Sequence, residues 1–211
     1  MKQIVKQAEP QELIVWKTQA NEVWQPSYND LRGAEKQAVK LSLMAEQGYL
    51  CCYCENRLVD DDSHIEHFQP QNDPTIDPLN YANLLCSCQS RIAKGAPRHC
   101  GNLKNGWFDE QLLISPLANG CEERFAYSGD GLIRPSDQAD ESARVTIEKL
   151  GLDMAKLNDL RKKAIDPFVD ATLSETEFCQ FVTGYLDRDT EGMFGEFCTT
   201  IRHLFGATTN P

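Results

Sequence analysis

Residues 51–54 read Cys-Cys-Tyr-Cys, and further cysteines stand at 86, 88 and 100. Thiolates at Cys-x-x-Cys spacing chelate one zinc ion from a tight turn, and a closed structural site needs four ligands. Cys51 and Cys54 supply one pair. Cys86 and Cys88 are separated by a single residue, too close for an ordinary chelating turn, so the second pair is Cys88 with Cys100. Cys52 and Cys86 are then spare thiols. The start of the chain, MKQIVKQAEPQELIVWKTQ, has no apolar block of export-signal length. The expected compartment is the cytoplasm, where disulfides are not the default reading of the nine cysteines. Cys179 and Cys198 lie in helix-like apolar patterns and read as buried apolar residues.

Charge narrows the class further. The 211 residues carry a net charge of −11, which argues against tight binding of nucleic acid by this chain alone. The charge is unevenly spread, however. From Pro78 to Phe108 there is no Asp or Glu, while Arg91, Lys94, Arg98 and Lys104 are present. Such a cationic window on an acidic body suits phosphate contacts. No run approaches the roughly 20 apolar residues of a membrane span.

Residues 1–27 read as irregular, with Pro10 and Pro26 as breakers. A helix is expected over roughly 29–47, capped by Ser27 and ended by Gly48, with Leu31, Ala34, Ala38, Leu41 and Ala45 at helical spacing. Residues 49–70 read as the Cys-x-x-Cys turn followed by two short strands joined at DDDS. A Pro-rich loop, a helix or turn near Asn80–Leu85 and a loop over 90–106 come next. DEQLLISP suggests a short strand. FAYSGDGLIRPSD reads as a hairpin around Ser-Gly-Asp-Gly. The remainder is helical: one segment capped by Ser136 or Asp137 and stopped by Gly151, one reaching Pro167, one opening on the Ser174/Glu177 capping box, and a last one over about 193–205.

Beside the first cysteine pair stands HIEH, residues 64–67. In a strand His64 and Glu66 share one face and His67 points away. Phosphodiester hydrolysis needs a base to activate water and a cation on the scissile oxygens. A neutral His supplies the first and a hard carboxylate helps hold the second.

The order Cys-x-x-Cys, Glu-His, Asn-Leu, Cys, Cys, Asn-x-Lys resembles the HNH endonucleases. HIEHFQP, YANLL and HCGNLKNGW, with the helical TIEKLGLDMAKLNDLRKKAI, resemble more closely the PtuB-like HNH subunits of Septu and related retron anti-phage systems. The likeness covers roughly residues 45–165. It implies an α+β fold in which a zinc-stapled ββα-metal HNH core is flanked by N-terminal and C-terminal helices. The expected division is a lead segment and helix over 1–47, a nuclease core over 48–110, and a hairpin plus mainly helical region over 111–211.

The resemblance also implies roles. His67 matches the general base and Glu66 the metal-ligand position before it. Asn83 matches the central Asn that orients the base and its loop. Asn102 matches the last metal-holding position, Lys104 the Lys position that binds phosphate, and His64 is a further candidate ligand. The family commonly has Cys-x-x-Cys-Asn in its second knuckle. Here QSRIAKGAPRH splits the cysteines and Gly101 separates Cys100 from Asn102, which makes His99 a rival for the last ligand. Zn²⁺ on Cys51, Cys54, Cys88 and Cys100 is implied as structural, and Mg²⁺ or Mn²⁺ as catalytic.

Family members work with PtuA-like ABC-type ATPases and, in some retrons, with a reverse transcriptase and its RNA–DNA product. No Walker-type loop occurs here, so ATP chemistry would belong to the partner. The aromatics Phe168, Phe178, Phe181, Tyr185, Phe194, Phe197 and Phe205 serve either as the C-terminal helices' own core or as a docking face. The substrate reads as nucleic acid, with DNA favoured and RNA such as tRNA open. A dead nuclease acting as a zinc-dependent adaptor is the reading from another class.

Overall fold

The computed structural model describes residues 1–169 and 172–209. Two short antiparallel pairs of strands are set among helices. β1 (Ser63–His67) pairs with β2 (Leu84–Cys88), with His67 opposite Leu84, Glu66 opposite Leu85 and His64 opposite Ser87. All five residues of β2 are buried. A strand covered on both faces shows no apolar–polar alternation, so LLCSC gives no period-2 signal. That accounts for the expectation of two strands inside 49–70: one lies there, its partner does not, and the DDDS run is a 3₁₀ turn leading into β1.

The first helix, α1 (Gln11–Lys17), was not expected. Pro10 serves as its N-cap rather than as a breaker, in keeping with the tolerance of proline at a helix start. α2 (Gly33–Glu46) follows, and its expected cap Ser27 instead closes a turn on Asp30. Its buried face is Val39, Leu43 and Met44, whereas Ala34, Leu41 and Ala45 are exposed. The alanine-rich stripe lost because larger side chains remove more apolar area from water. Gly48 ends the helix at φ +63, and a Cβ there would strike the Phe194 ring. The Gln47 amide then joins α2 to β2: Nε2 donates to the Leu50 and Cys86 carbonyls, and Oε1 accepts from the Cys86 amide.

The segment expected as loop over 90–106 ends in a single helical turn, α3 (Gly101–Lys104), fastened to the next helix by Cys100 N–H donating to Leu150 O at 2.8 Å. DEQLLISP forms turns rather than a strand. Its Ile114 amide donates to the Thr146 hydroxyl, which itself donates to the Leu112 carbonyl. The hairpin forms as expected from β3 (Phe125–Tyr127) and β4 (Ile133–Pro135). Asp140, not Ser136 or Asp137, caps α4 (Glu141–Leu150), and Gly151 stops it at φ +60. α5 (Ala155–Ile165) leads into the Pro167 turn. α6 (Glu175–Leu186) carries the full capping box, and α7 (Cys198–Phe205) starts later than expected.

One core runs from Met1 to Leu157, around the cysteine turn, β1, β2, β3 and α4. A second gathers Ile165, Phe168, Val182 and Ile201, with Phe178, Tyr185 and Phe205 against it. Of the C-terminal aromatics Phe168 and Phe197 are buried, Phe178, Tyr185, Phe194 and Phe205 are half-buried, and Phe181, 39% exposed, stacks on Phe168 at 4.6 Å. The two cores meet at Glu55, whose carboxylate pairs with the Met1 ammonium at 2.9 Å and accepts from the Thr199 amide of α7. Among the described residues no helix is long and apolar enough to cross a membrane.

Candidate active site and metal centre

The Cys-x-x-Cys turn, the end of β2 and the start of α3 converge. The Sγ atoms of Cys51, Cys54, Cys88 and Cys100 are buried and lie within 4.8 Å of one another. Four sulfurs about 2.3 Å from a tetrahedral zinc stand about 3.8 Å apart, and Cys54 Sγ is 3.8 Å from Cys88 Sγ. The donor set and its spacing fit zinc. The Ser87 hydroxyl supports it, 3.7 Å from Cys51 Sγ and accepting from the Gly101 amide at 3.2 Å. Cys52 and Cys86 are buried and are not among the four clustered sulfurs, although the Cys52 thiol contacts that of Cys51; burial pushes the Cys86 thiol up to about 12. His99 sits on the cluster, with Nδ1 3.1 Å from Cys100 Sγ.

A second constellation lies along β1, in a cleft of ≈ 360 Å³ lined by Glu66, His67, Gln71, Asn72, Gly101 and Asn105. The two oxygens of Glu66 have different surroundings. Oε1 accepts from the Tyr53 hydroxyl at 3.1 Å and pairs with the Lys104 ammonium at 3.0 Å. Oε2 faces His64 Nε2 at 3.7 Å. Burial raises the carboxyl's pKa, but His64 and Lys104 more than offset that, and the net shift is below the ordinary carboxylate value. Gly101 closes this corner. A Cβ on it would be driven into Glu66 Oε2 and would stand 3.0 Å from His64 Nε2.

His67 is positioned by three contacts. Its Nε2 lies 3.0 Å from the Pro78 carbonyl. A carbonyl only accepts, so this bond places the proton on Nε2 and leaves Nδ1 as the lone-pair nitrogen. The Tyr28 ring packs edge-on at 4.4 Å. The His67 carbonyl accepts from the Lys104 ammonium at 3.0 Å. Burial lowers the imidazole's pKa, which favours the neutral form.

The remaining expected residues are held elsewhere. The Asn83 amide makes two bonds to the backbone of Gln69, accepting at 2.8 Å and donating at 2.9 Å, and so fixes the loop after β1. Asn102 Nδ2 donates to the Gln89 carbonyl at 2.7 Å, on the thiol side of α3. Lys104 is 2% exposed, so its charge serves Glu66 rather than the surface. Of the cationic window, Arg91 pairs with Asp61, and Lys94 and Arg98 are exposed on the loop. Tyr53 was not singled out from sequence, and Gly101 was noted only as the residue separating Cys100 from Asn102. For Gly101 the signal was present, a glycine where the family commonly has Asn; a Tyr between paired cysteines carries none.

No protein-family model matches the chain. Two curated proteins are similar to it. The protein named for the HNH endonuclease of retron Vc95, from Vibrio cholerae serotype O1 biovar El Tor, is 31% identical over 150 residues, 68% of this chain and 70% of that protein. The chain belongs to the retron HNH endonucleases. The counterpart named for retron Ec83 of Escherichia coli is 26% identical over 209 residues, 80% of each chain. For a retron HNH endonuclease, a buried thiol cluster beside a histidine–carboxylate cleft is a chemically coherent pairing. Among the described residues the thiol cluster is the only group of three or more Cys, His, Asp or Glu side chains close enough to share an ion. The Glu66–His64 pair offers two donors, which suits a magnesium-like ion that retains several waters. Adjacent ligands about 2.1 Å from an octahedral ion stand about 3.0 Å apart, so Glu66 Oε2 and His64 Nε2, 3.7 Å apart, would share such an ion only after closing by about 0.7 Å.

Proposed function

We propose that this retron HNH endonuclease hydrolyses phosphodiester bonds in the cleft beside β1, with DNA as the favoured substrate. The carrying observation is that β1 aims Glu66 Oε2 at His64 Nε2, 3.7 Å away, while the Pro78 carbonyl holds the proton of His67 on Nε2. His67 Nδ1 takes a proton from the attacking water. Glu66 and His64 hold a divalent cation, Mg²⁺ or Mn²⁺, which when bound polarises the scissile phosphate and stabilises the leaving oxygen. Asn83 keeps the loop beside His67 in place. Asn102 and His99 hold the thiol side of α3 rather than that cation.

In this reading β1, β2 and α3 form the ββα core. Zinc on Cys51, Cys54, Cys88 and Cys100 fixes α3 and the cysteine turn in register and takes no part in the chemistry. Residues 48–110 carry catalysis, with 1–47 packed beside them. Residues 111–211 serve a PtuA-like ABC-type ATPase, which gathers nucleic acid that the acidic chain alone holds weakly. In this reading the exposed Lys94 and Arg98 are the cations offered to phosphate.

The test is cleavage of plasmid DNA and of total tRNA with Mg²⁺ or Mn²⁺, with and without the co-encoded ATPase and any reverse transcriptase. Cutting of DNA that vanishes in His67→Ala supports the reading. Cutting of tRNA alone moves the substrate to RNA. Equal behaviour of wild type and His67→Ala in every arm overturns it in favour of a zinc-dependent adaptor.

A further inference from the structure

Tyr53 lies inside the Cys-x-x-Cys turn, between Cys51 and Cys54, and the residue is 1% exposed. Its hydroxyl crosses from the thiol cluster to the neighbouring cleft and donates to Glu66 Oε1 at 3.1 Å. The Lys104 ammonium reaches the same oxygen at 3.0 Å. Lys104 ends α3, the turn that begins immediately after the cluster residue Cys100. Both donors to Oε1 therefore come from segments that the thiols hold.

A carboxylate has two chemically equivalent oxygens, and its terminal torsion is soft. Two donors on one oxygen remove that equivalence. Oε1 is occupied on the inside, and Oε2 is left beside His64 Nε2 and the bare α-carbon of Gly101. Partners that orient a metal-binding carboxylate tune affinity without touching the ion.

We propose that Tyr53 is a positioning residue for the catalytic cation: its hydroxyl holds Glu66 with Oε2 presented to the ion, so that the zinc turn sets the geometry of the cleft. The inference rests on the reading of Glu66 as a cation ligand. It makes the two metal centres communicate through one side chain, in addition to the backbone that they share.

The experiment uses Tyr53→Phe, which removes one oxygen and keeps the ring. Mn²⁺ binding to the full chain is followed by electron paramagnetic resonance, zinc content by metal analysis, and folding by thermal melting. The expected result is unchanged zinc content, a similar melting temperature and a Mn²⁺ Kd raised roughly 10- to 100-fold. Cleavage should then recover towards the wild-type rate as Mn²⁺ is raised. Wild-type Mn²⁺ affinity in Tyr53→Phe overturns the proposal. Glu66→Gln separates the two layers. If it binds Mn²⁺ as tightly as wild type, the ligand reading itself fails; if it loses Mn²⁺ while Tyr53→Phe does not, only the role of Tyr53 fails. Should Tyr53→Phe lose its zinc, 3-fluorotyrosine at position 53 keeps the hydroxyl. Its ¹⁹F resonance should shift on titration with Mg²⁺ and not in Glu66→Gln, and a resonance indifferent to Mg²⁺ overturns the proposal.

Discussion

Lys104→Met separates two accounts of one residue. The family likeness implies a phosphate-binding Lys at this position, whereas the structure buries the ammonium against Glu66 Oε1 at 3.0 Å with 1% of the side chain exposed. Two unit charges at that separation attract by about 5.5 kcal/mol at an effective dielectric of about 20. Methionine fills nearly the same volume, so little packing is lost. What remains is a buried carboxylate without its cation and a His67 carbonyl without its donor. Removing one partner of a buried pair costs about 3–5 kcal/mol. Tyr53 and His64 still face Glu66, which places the expected loss near the lower end, about 3 kcal/mol. For a chain of this size that lowers the melting temperature by about 6–12 °C. The assay is denaturant and thermal unfolding of zinc-loaded protein, alone and combined with Glu66→Gln. The double variant should recover part of the loss, with a coupling of about 2 kcal/mol. A Lys104→Met protein as stable as wild type, but with weaker nucleic-acid binding and a shallower salt dependence, would refute the buried-counterion account.

Three further outcomes follow from the same geometry. Gly101→Ala places a Cβ against Glu66 Oε2. Because Tyr53 and Lys104 fix that carboxylate, Mn²⁺ binding and cleavage should fall at least tenfold while zinc content is kept, as titration and metal analysis would show. Glu55→Gln breaks the pair with the Met1 ammonium and should cost about 3–5 kcal/mol near neutral pH. Burial works against that ammonium, but Glu55 and Tyr127 more than offset it and raise its pKa from 8.0 to about 11. A raised pKa stabilises fully below the ordinary value and less as pH climbs, so the gap between wild type and Glu55→Gln in denaturant unfolding should hold up to pH 8 and narrow towards 11. Cys54→Ser should abolish bound zinc and unfold the region around β1 and β2, because structural zinc contributes roughly 10–16 kcal/mol in small zinc domains; Cys52→Ala should retain one zinc per chain, and metal analysis with circular dichroism separates the two.

Local chemistry was readable wherever a single residue type has one strong preference. The spacing of Cys51, Cys54, Cys88 and Cys100 anticipated the cluster that forms. Ser-Gly-Asp-Gly anticipated the hairpin, Gly151 the end of α4, and Ser174 with Glu177 the start of α6. What was lost depends on tertiary surroundings. β2 is buried on both faces and so has no period. The buried stripe of α2 was set by what packs on it, and spacing alone admitted an exposed alternative. Lys104 carries a charge that reads as surface until its burial against Glu66 is seen. Asn102 stands in the expected motif position, and its amide donates to the Gln89 carbonyl, a contact that no sequence spacing announces. The Tyr53–Glu66 bond joins the cysteine turn to a strand, and no local pattern encodes it.

The most direct measurement is anomalous diffraction from crystals of the zinc-loaded chain soaked in Mn²⁺, recorded at the zinc and manganese absorption edges. The account predicts two separate sites. Zinc signal should sit among Cys51, Cys54, Cys88 and Cys100, and manganese signal beside Glu66 Oε2 and His64 Nε2. Manganese bound at Asn102 or His99 with none at Glu66, or a zinc peak away from the four thiols, would contradict it.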